Sequence, residues 1–259
     1  MALENLFDLS GRNAIVTGGG AGLGRQLAAA LAEAGANLVL CARKADRCES
    51  AAAELAAAHG IEALGLACDV RSAEDVEAVV ERTKQELGSI DILVNNAGTS
   101  WGAAVEDYPL DGWKKVIDVN LTGLFLVTQA AGREMIARGR GGKIVNIASI
   151  AALGGAPADL MDAIAYNASK GGVVAFTRDL AVKWARYGIH VNAIAPGWFP
   201  TDMSKVLLER EGQRFLERIP LGRFGGEDDL KGAVVFLASR ASDFVTGHTL
   251  VVDGGESAM

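Results

Sequence analysis

The sequence predicts an α/β fold, doubly wound about a single seven-stranded, mainly parallel sheet with helices on both faces. Three observations lead there. A helical pattern, then Gly, then a short apolar run recurs: at Gly35 before 36–41, Gly60 before Ile61, Gly88 before 90–94 and Gly188 before 189–195. Gly commonly follows a helix end because it takes the left-handed conformation without steric cost. The runs after it are mostly apolar, as in strands covered on both faces. Their alternation with helices implies parallel strands joined by crossovers.

Strands are expected near 12–17, 36–41, 62–67, 90–94, 142–148, 189–195 and 248–252, with helices between them. The first runs into Gly18-Gly-Gly-Ala-Gly22-Leu-Gly24 and then a helical stretch from Arg25 to Ala34. A Gly-rich turn at a helix amino terminus lets backbone N–H groups approach a pyrophosphate, aided by the helix dipole. The second strand ends Leu40-Cys41-Ala42-Arg43-Lys44, and the Ala-rich stretch 51–58 after it is good helix composition. The fourth is followed by Asn95-Asn96-Ala97-Gly98, and the fifth ends at Ser149. Long helical patterns span about 108–138 and 161–187. Pro196-Gly197 and Thr201 follow the sixth strand, and Asp253-Gly-Gly255 follows the last. No linker or repeat interrupts the series, so residues 1–259 read as one domain.

Composition narrows the function. A net charge of −7 without any basic block argues against a nucleic-acid partner. The short group Arg138-Gly-Arg140 reads as a solvated helix end. Cys41, Cys48 and Cys68 form no C-x-x-C pair, so a reducing cytoplasm is the expected compartment. Cys41 and Cys68 fall in apolar strand-like runs and read as buried thiols. His59, His190 and His248 are far apart, and no metal site is expected. The first residues lack a signal-peptide pattern. No apolar stretch reaches the roughly 18–20 residues of a membrane span.

The chemistry is written in Ser149, Tyr166 and Lys170. In Tyr166-x-x-x-Lys170 the spacing places phenol and ammonium on one helical face. Ligands of open α/β sheets bind outside the carboxyl ends of the strands, which is where Ser149 lies. A Lys beside a Tyr favours the phenolate, so the phenol can act as acid or base nearer neutral pH.

The strict G-x-G-x-x-G spacing is absent, but Thr17-Gly18-x-x-x-Gly22-x-Gly24 is present. With Ser149, Tyr166, Lys170, Asn95 to Gly98, Asn120, Pro196-Gly197, Thr201 and Asp253-Gly-Gly255 in order, nearly the whole chain resembles the short-chain dehydrogenases/reductases. That resemblance implies a Rossmann fold and a role for each matching position. Gly18, Gly22, Leu23 and Gly24 would hold the pyrophosphate region of a nicotinamide cofactor. Asp69 and Val70 would flank its adenine, and Asn95, Asn96, Ala97 and Gly98 would border its adenine ribose. Tyr166 and Lys170 would bond the nicotinamide ribose; Pro196, Gly197, Phe199 and Thr201 would enclose the nicotinamide. Tyr166 would exchange a proton with the substrate oxygen, Ser149 would donate to that oxygen, and Asn120 would support a water near Lys170.

Arg43 sits where NAD binders carry a carboxylate for the ribose 2′-OH, and no carboxylate follows before Asp46. An Arg there suits a 2′-phosphate. NADP(H) is therefore expected over NAD(H).

The substrate is less legible. The resemblance places a substrate lid at about 198–219, where Trp198, Phe199, Met203, Val206, Leu207, Leu208, Phe215 and Leu216 make an apolar cover. Trp101 is a candidate wall. The Ser149-to-Tyr166 separation exceeds the family's by about four residues, within 153–163, so Asp159, Met161 and Asp162 are expected at the pocket entrance. Relatives that reduce 3-oxoacyl groups on acyl carrier protein often carry an Arg where Tyr187 stands here, although Arg133, Arg138 and Arg140 could form a basic patch.

The expected function is interconversion of a ketone and a secondary alcohol on a small molecule. The alternatives are a 3-oxoacyl carrier-protein reductase, a gluconate or polyol dehydrogenase, and a nucleotide sensor without turnover. A sensor needs no proton donor, so the intact Ser149, Tyr166 and Lys170 argue against it. A sugar-nucleotide epimerase would want a longer substrate domain. The resemblance also implies a homotetramer in which the 108–138 and 161–187 helices pair across a two-fold axis, with 256–259 near another interface.

Overall fold

The computed structural model describes residues 2–157 and 160–259, so Asp159 lies outside the described residues. A short helix, α1 (Glu4–Phe7), precedes the alternation. It continues β1 (Asn13–Thr17), α2 (Gly22–Glu33), β2 (Asn37–Ala42), α3 (Ala45–His59), β3 (Ala63–Ala67), α4 (Ala73–Leu87) and β4 (Ile92–Asn95). The second half runs α5 (Leu110–Ile117), α6 (Gly123–Arg138), β5 (Gly142–Ile147), α7 (Ile164–Trp184), β6 (Ile189–Pro196), α8 (Lys205–Leu216), α9 (Lys231–Ala238) and β7 (Thr249–Val252).

Among the described residues, seven strands form one sheet in the order β3-β2-β1-β4-β5-β6-β7, and every pairing is parallel. The strand order reverses between β1 and β4, which is the point where an open α/β sheet leaves a crevice at its carboxyl ends. Side chains alternate across the sheet, as the two-residue period of a strand requires. Ala14 and Val16 face the layer of α2, α3 and α9, while Ile15 faces α4, α6 and α7. Gly60, Gly88 and Gly188 each end a helix at positive φ, of 68°, 81° and 70°.

Between α5 and α6 lies a wide turn, Asp118–Thr122, in which the Gly123 N–H reaches back five residues to the Asp118 carbonyl. Single π turns of this kind mark functional sites. The 108–138 stretch is therefore two helices joined by a bulge centred on Asn120.

The lower, amino-terminal edge of the sheet is tied by charge. Asp91, buried before β4, accepts from the Asn13 N–H at 3.0 Å and pairs with Arg138 at 2.6 Å. Arg138 is thus no solvated helix end, contrary to the sequence expectation. Arg133 pairs with Glu77 at 2.9 Å. With Arg133 and Arg138 each bound to a carboxylate, Arg133, Arg138 and Arg140 do not form the open basic patch that the sequence allowed. The three cysteines are buried and free.

Candidate active site

The crevice is built from the ends of β1, β4, β5 and β6. At β1 the chain turns into α2 through a glycine cradle with no room for side chains. A Cβ on Gly24 would stand 2.1 Å from the Gly18 carbonyl oxygen, and one on Gly18 would stand 2.8 Å from Asn96 Nδ2. Gly18 and Gly22 sit at φ of 66° and 53°, which glycine adopts freely. Two residues lock this turn to β4. The Thr17 hydroxyl accepts from the N–H groups of Asn96 and Ala97, both at 3.0 Å. The Asn96 carboxamide donates to the Thr17 carbonyl at 2.9 Å and the Gly18 carbonyl at 3.3 Å. Sequence reading assigned Thr17 no site role, although it lies inside a motif that it singled out.

Asn95 behaves differently from the expectation. Its side chain is buried and donates to Thr128 Oγ1 at 2.8 Å and Asn146 Oδ1 at 2.9 Å. Asn146 in turn donates to Thr177 Oγ1 at 2.9 Å. The Asn95 carboxamide therefore belongs to a polar ladder between β4, β5, α6 and α7, and it does not face the crevice. Ala97 and Gly98 remain at its rim. Val70 is buried against Gly123, where an added Cβ would meet it at 2.6 Å. Asp69 is clamped by the Arg71 guanidinium, with Nε at 2.9 Å and Nη2 at 2.5 Å. That hydrogen bonding holds its carboxyl down at about 2. Arg43, beyond the end of β2, is exposed and makes no ion pair among the described residues.

Ser149, Tyr166 and Lys170 converge as predicted. Ser149 ends the β5 segment in extended backbone, and its hydroxyl accepts from the Ala151 N–H at 3.2 Å. Tyr166 and Lys170 lie one turn apart on α7, with Lys170 Nζ 5.6 Å from the centre of the Tyr166 ring. Lys170 is 5 % exposed and donates to the Ile147 carbonyl at 2.6 Å. Burial lowers its ammonium to about 8. Burial also raises the Tyr166 phenol above its usual range, and a hydrogen bond with Ser149 only partly offsets this. The direction of the shift comes from desolvation and Ser149, with no contribution from Lys170, and it favours the protonated acid.

Asn120 is 1 % exposed and fully engaged. Its carboxamide accepts from the Thr99 N–H at 2.8 Å and donates to the Thr99 carbonyl at 2.9 Å. It also donates to Ser169 Oγ at 2.9 Å. Gly98 lies between Asn120 and Lys170: a Cβ there would be 3.5 Å from Asn120 Oδ1 and 3.9 Å from Lys170 Nζ.

Pro196 closes β6, and the Gly197 N–H donates to the Val252 carbonyl at 3.0 Å. Gly197 passes so close to Asp253 that a Cβ would meet its Cα at 2.8 Å, which places the last motif against the sixth strand's turn. Thr201 sits opposite Gly22, 3.5 Å from where a Cβ would be. Together with Leu23, Phe199 and Tyr166 it lines a cavity of about 420 Å³. The lid folds over that cavity: Trp198 and Phe215 stack at 3.8 Å between ring centres, and Met203 and Leu207 line its wall. The longer 153–163 segment contributes Leu153, Leu160 and Met161 to the same wall. Asp162 instead accepts the Ala103 N–H on its carbonyl at 3.0 Å. Trp101 is not part of the wall. It packs on Gly112, with Lys115 Nζ 5.0 Å above its ring.

A glycine cradle with a helix amino terminus behind it fits a pyrophosphate, and the Ser–Tyr–Lys set beside an apolar cavity fits proton exchange with a carbonyl compound. This fold and this site define a dinucleotide-dependent oxidoreductase. A family model described as enoyl-(acyl carrier protein) reductase matches residues 18–257. A 5-keto-D-gluconate 5-reductase of Escherichia coli (strain K12) is 41% identical over 256 residues, covering 98% of both chains. A solved short-chain type dehydrogenase/reductase from Mycobacterium marinum superposes with a TM-score of 0.95 at 38% identity, covering 100% of both chains. A solved gluconate 5-dehydrogenase from Burkholderia cenocepacia, in complex with NADP and tartrate, superposes with a TM-score of 0.93 at 40% identity, also over 100% of both. The chain belongs to the short-chain dehydrogenase/reductase family and is an oxidoreductase acting on hydroxyl and keto groups. Among the described residues no cluster of His, Cys, Asp and Glu could hold a metal, and no helix is long and apolar enough to cross a membrane.

Proposed function

We propose that this protein is an NADP(H)-preferring reductase of a small-molecule ketone, with Tyr166 as the proton donor. The observation that carries the reading is that Ser149 and Tyr166 share the lining of one cavity with Leu23 of the glycine turn, with buried Lys170 Nζ 5.6 Å from the Tyr166 ring. When bound, the reduced cofactor supplies the hydride. Ser149 donates to the carbonyl oxygen and holds it beside the phenol. Tyr166 delivers the proton, and Lys170 compensates the phenolate left behind. Burial raises the phenol's pKa, so at neutral pH the phenol carries the proton it would deliver.

The charge around the second strand supports NADP(H). Arg43 is uncommitted, and the neighbouring carboxylate of Asp69 is already neutralised by Arg71. A 2′-phosphate there meets a free guanidinium and no free carboxylate. A relative in complex with NADP agrees with this. The remaining cofactor assignments, to Gly18, Gly22, Leu23, Gly24, Asp69, Val70, Ala97, Gly98, Pro196, Gly197, Phe199 and Thr201, belong to the same reading. We also assign the protein to the cytoplasm as a homotetramer.

The test is turnover. Purified protein with NADPH and a panel of ketones, 3-oxoacyl thioesters and keto sugar acids, followed by loss of cofactor absorbance, should show reduction of at least one ketone class. Tyr166→Phe serves as the inactive control. Equal turnover by Tyr166→Phe would remove the proton-donor assignment.

A further inference from the structure

The lid is held at its two roots and hardly at all along its length. Its helix, α8, has 12 residues and buries only Phe215. Space flanks α8 on both sides. The cavity of about 420 Å³ lies on one, lined by Leu207 and Phe215. A gap of about 800 Å³ lies on the other, where Leu208 and Glu209 face Gln26 and Ala29 of α2. An ion pair reaches the lid from α3, Arg47 to Asp202 at 3.5 Å, but both side chains are exposed and such pairs hold little.

Both roots converge on the turn that follows β7. At the first, Gly197 has no room for a Cβ beside Asp253. At the second, the Leu221 N–H donates to the Gly254 carbonyl at 3.1 Å. Cβ atoms on Gly254 and Gly255 would stand 2.7 Å from Ile219 and 3.1 Å from Pro220. Asp253 shapes the turn, accepting from the N–H groups of Gly255 at 2.9 Å and Ser257 at 2.7 Å. The next side chain is Glu256, only 10 % exposed. Its carboxyl group takes hydrogen bonds from Trp198, just past the first root, and from Arg218, just before the second. Arg218 Nε lies 3.4 Å from Glu256 Oε1. Trp198 in turn stacks on Phe215, the one buried anchor of α8.

We infer that Glu256 is the positioning residue of the lid: one carboxyl group near the chain end ties both roots together and so keeps α8 closed over the cavity that Tyr166 lines. With the tie removed, the lid is closed for a smaller fraction of the time, and apparent substrate affinity falls by that fraction. Proton transfer within the closed complex is untouched, so the loss falls on KM before kcat. The kinetic part rests on the ketone-reductase reading; the lid part does not.

Hydrogen–deuterium exchange of the ligand-free protein, read by mass spectrometry, tests the lid directly. In Glu256→Leu, peptides covering residues 199–218 should exchange at least about fivefold faster, while those from β1, β4 and β5 keep the wild-type rate. Glu256→Gln, which keeps an accepting oxygen, should restore part of the protection. Arg218→Ala, at a side chain 43 % exposed, releases the same tie from the lid side with little risk to folding and should also speed exchange there. With NADPH and the ketone that wild-type protein reduces best, Glu256→Leu should raise KM several-fold and leave kcat within about twofold. Unchanged lid exchange in Glu256→Leu and Arg218→Ala overturns the inference. So does exchange that rises equally in β1, β4 and β5, or a kcat that falls as far as KM rises. Faster lid exchange in the variants, with no turnover of any ketone by wild-type protein, would instead remove the reductase reading and leave the tie standing.

Discussion

Asn120 donates to the Ser169 hydroxyl at 2.9 Å, and that hydroxyl donates to the Tyr166 carbonyl at 2.8 Å. The π turn between α5 and α6 is thereby fastened to the first turns of α7, where Tyr166 and Lys170 stand. Asn120→Ala would also deprive the part-buried N–H and carbonyl of Thr99 of their partner. We expect a loss on the order of 2 kcal/mol in stability, since buried unsatisfied groups cost about 1–3 kcal/mol each and some solvent access relieves them. Thermal unfolding should show the drop, with kcat falling more than NADPH affinity.

Tyr166→Phe should lower kcat by at least about a hundredfold, the low end for general acid–base catalysis. In the wild type, reduction needs the protonated phenol, whose folded pKa burial raises. The reductive rate should therefore hold through neutral pH and fall only as alkaline pH titrates the phenol. Oxidation of the corresponding alcohol should rise over that same range. Steady-state pH profiles in both directions check this; a reductive rate that climbs with pH would contradict it.

Lys170 should trade stability for activity. Its folded pKa of about 8 lies below the ordinary value of 10.5, so the folded chain binds fewer protons between those two pH values. The cost of burying the charge is fully present below about pH 8 and fades as pH rises toward 10.5. The shift corresponds to about 3 kcal/mol, from which the lost hydrogen bond to the Ile147 carbonyl subtracts about 1 kcal/mol. Lys170→Met should thus melt higher than wild type at pH 7, by an increment that shrinks at pH 10, while losing most of its turnover.

Arg43→Ala should weaken NADPH binding about tenfold and leave NADH within about twofold, as removal of one exposed charge-assisted contact would. Fluorescence titration of both cofactors against both proteins decides it. Tighter wild-type binding of NADH than of NADPH would sink the assignment.

The exposed apolar side chains Trp113 on α5, Phe125 on α6 and Val182 on α7 lie on the helices expected to meet a second copy. Light scattering at micromolar concentration should give four times 26.9 kDa. Leu124, Val127 and Met135 on α6 and Val173 and Val174 on α7 turn inward instead and are buried in the single chain.

All seven strands could be placed from sequence because each apolar run is short and set off by turn residues that obey local rules. The Ser149, Tyr166 and Lys170 set was equally legible, because four residues on a helix and one strand end fix its geometry. Pairings between distant segments were not. Asn95 looked like a cofactor residue until its partners, Thr128 and Asn146, were seen to take its side chain. Trp101 looked like a pocket wall until Gly112 left it a place to pack. Nothing in the local pattern joins Arg71 to Asp69 in preference to a ligand. Those contacts depend on where whole elements come to rest.

The strand order has a kinetic consequence. β1 is an inner strand of the sheet, between β2 and β4, and its pairing with β4 spans much of the sequence: Ala14 pairs with Ile92. During synthesis β1, β2 and β3 can associate as soon as they emerge, leaving one edge of β1 bare until β4 is made. Such long-range parallel pairing is slow, because loop closure must be completed before the contact is formed. Refolding from denaturant should therefore be slow and concentration-sensitive, with aggregation competing through that open edge.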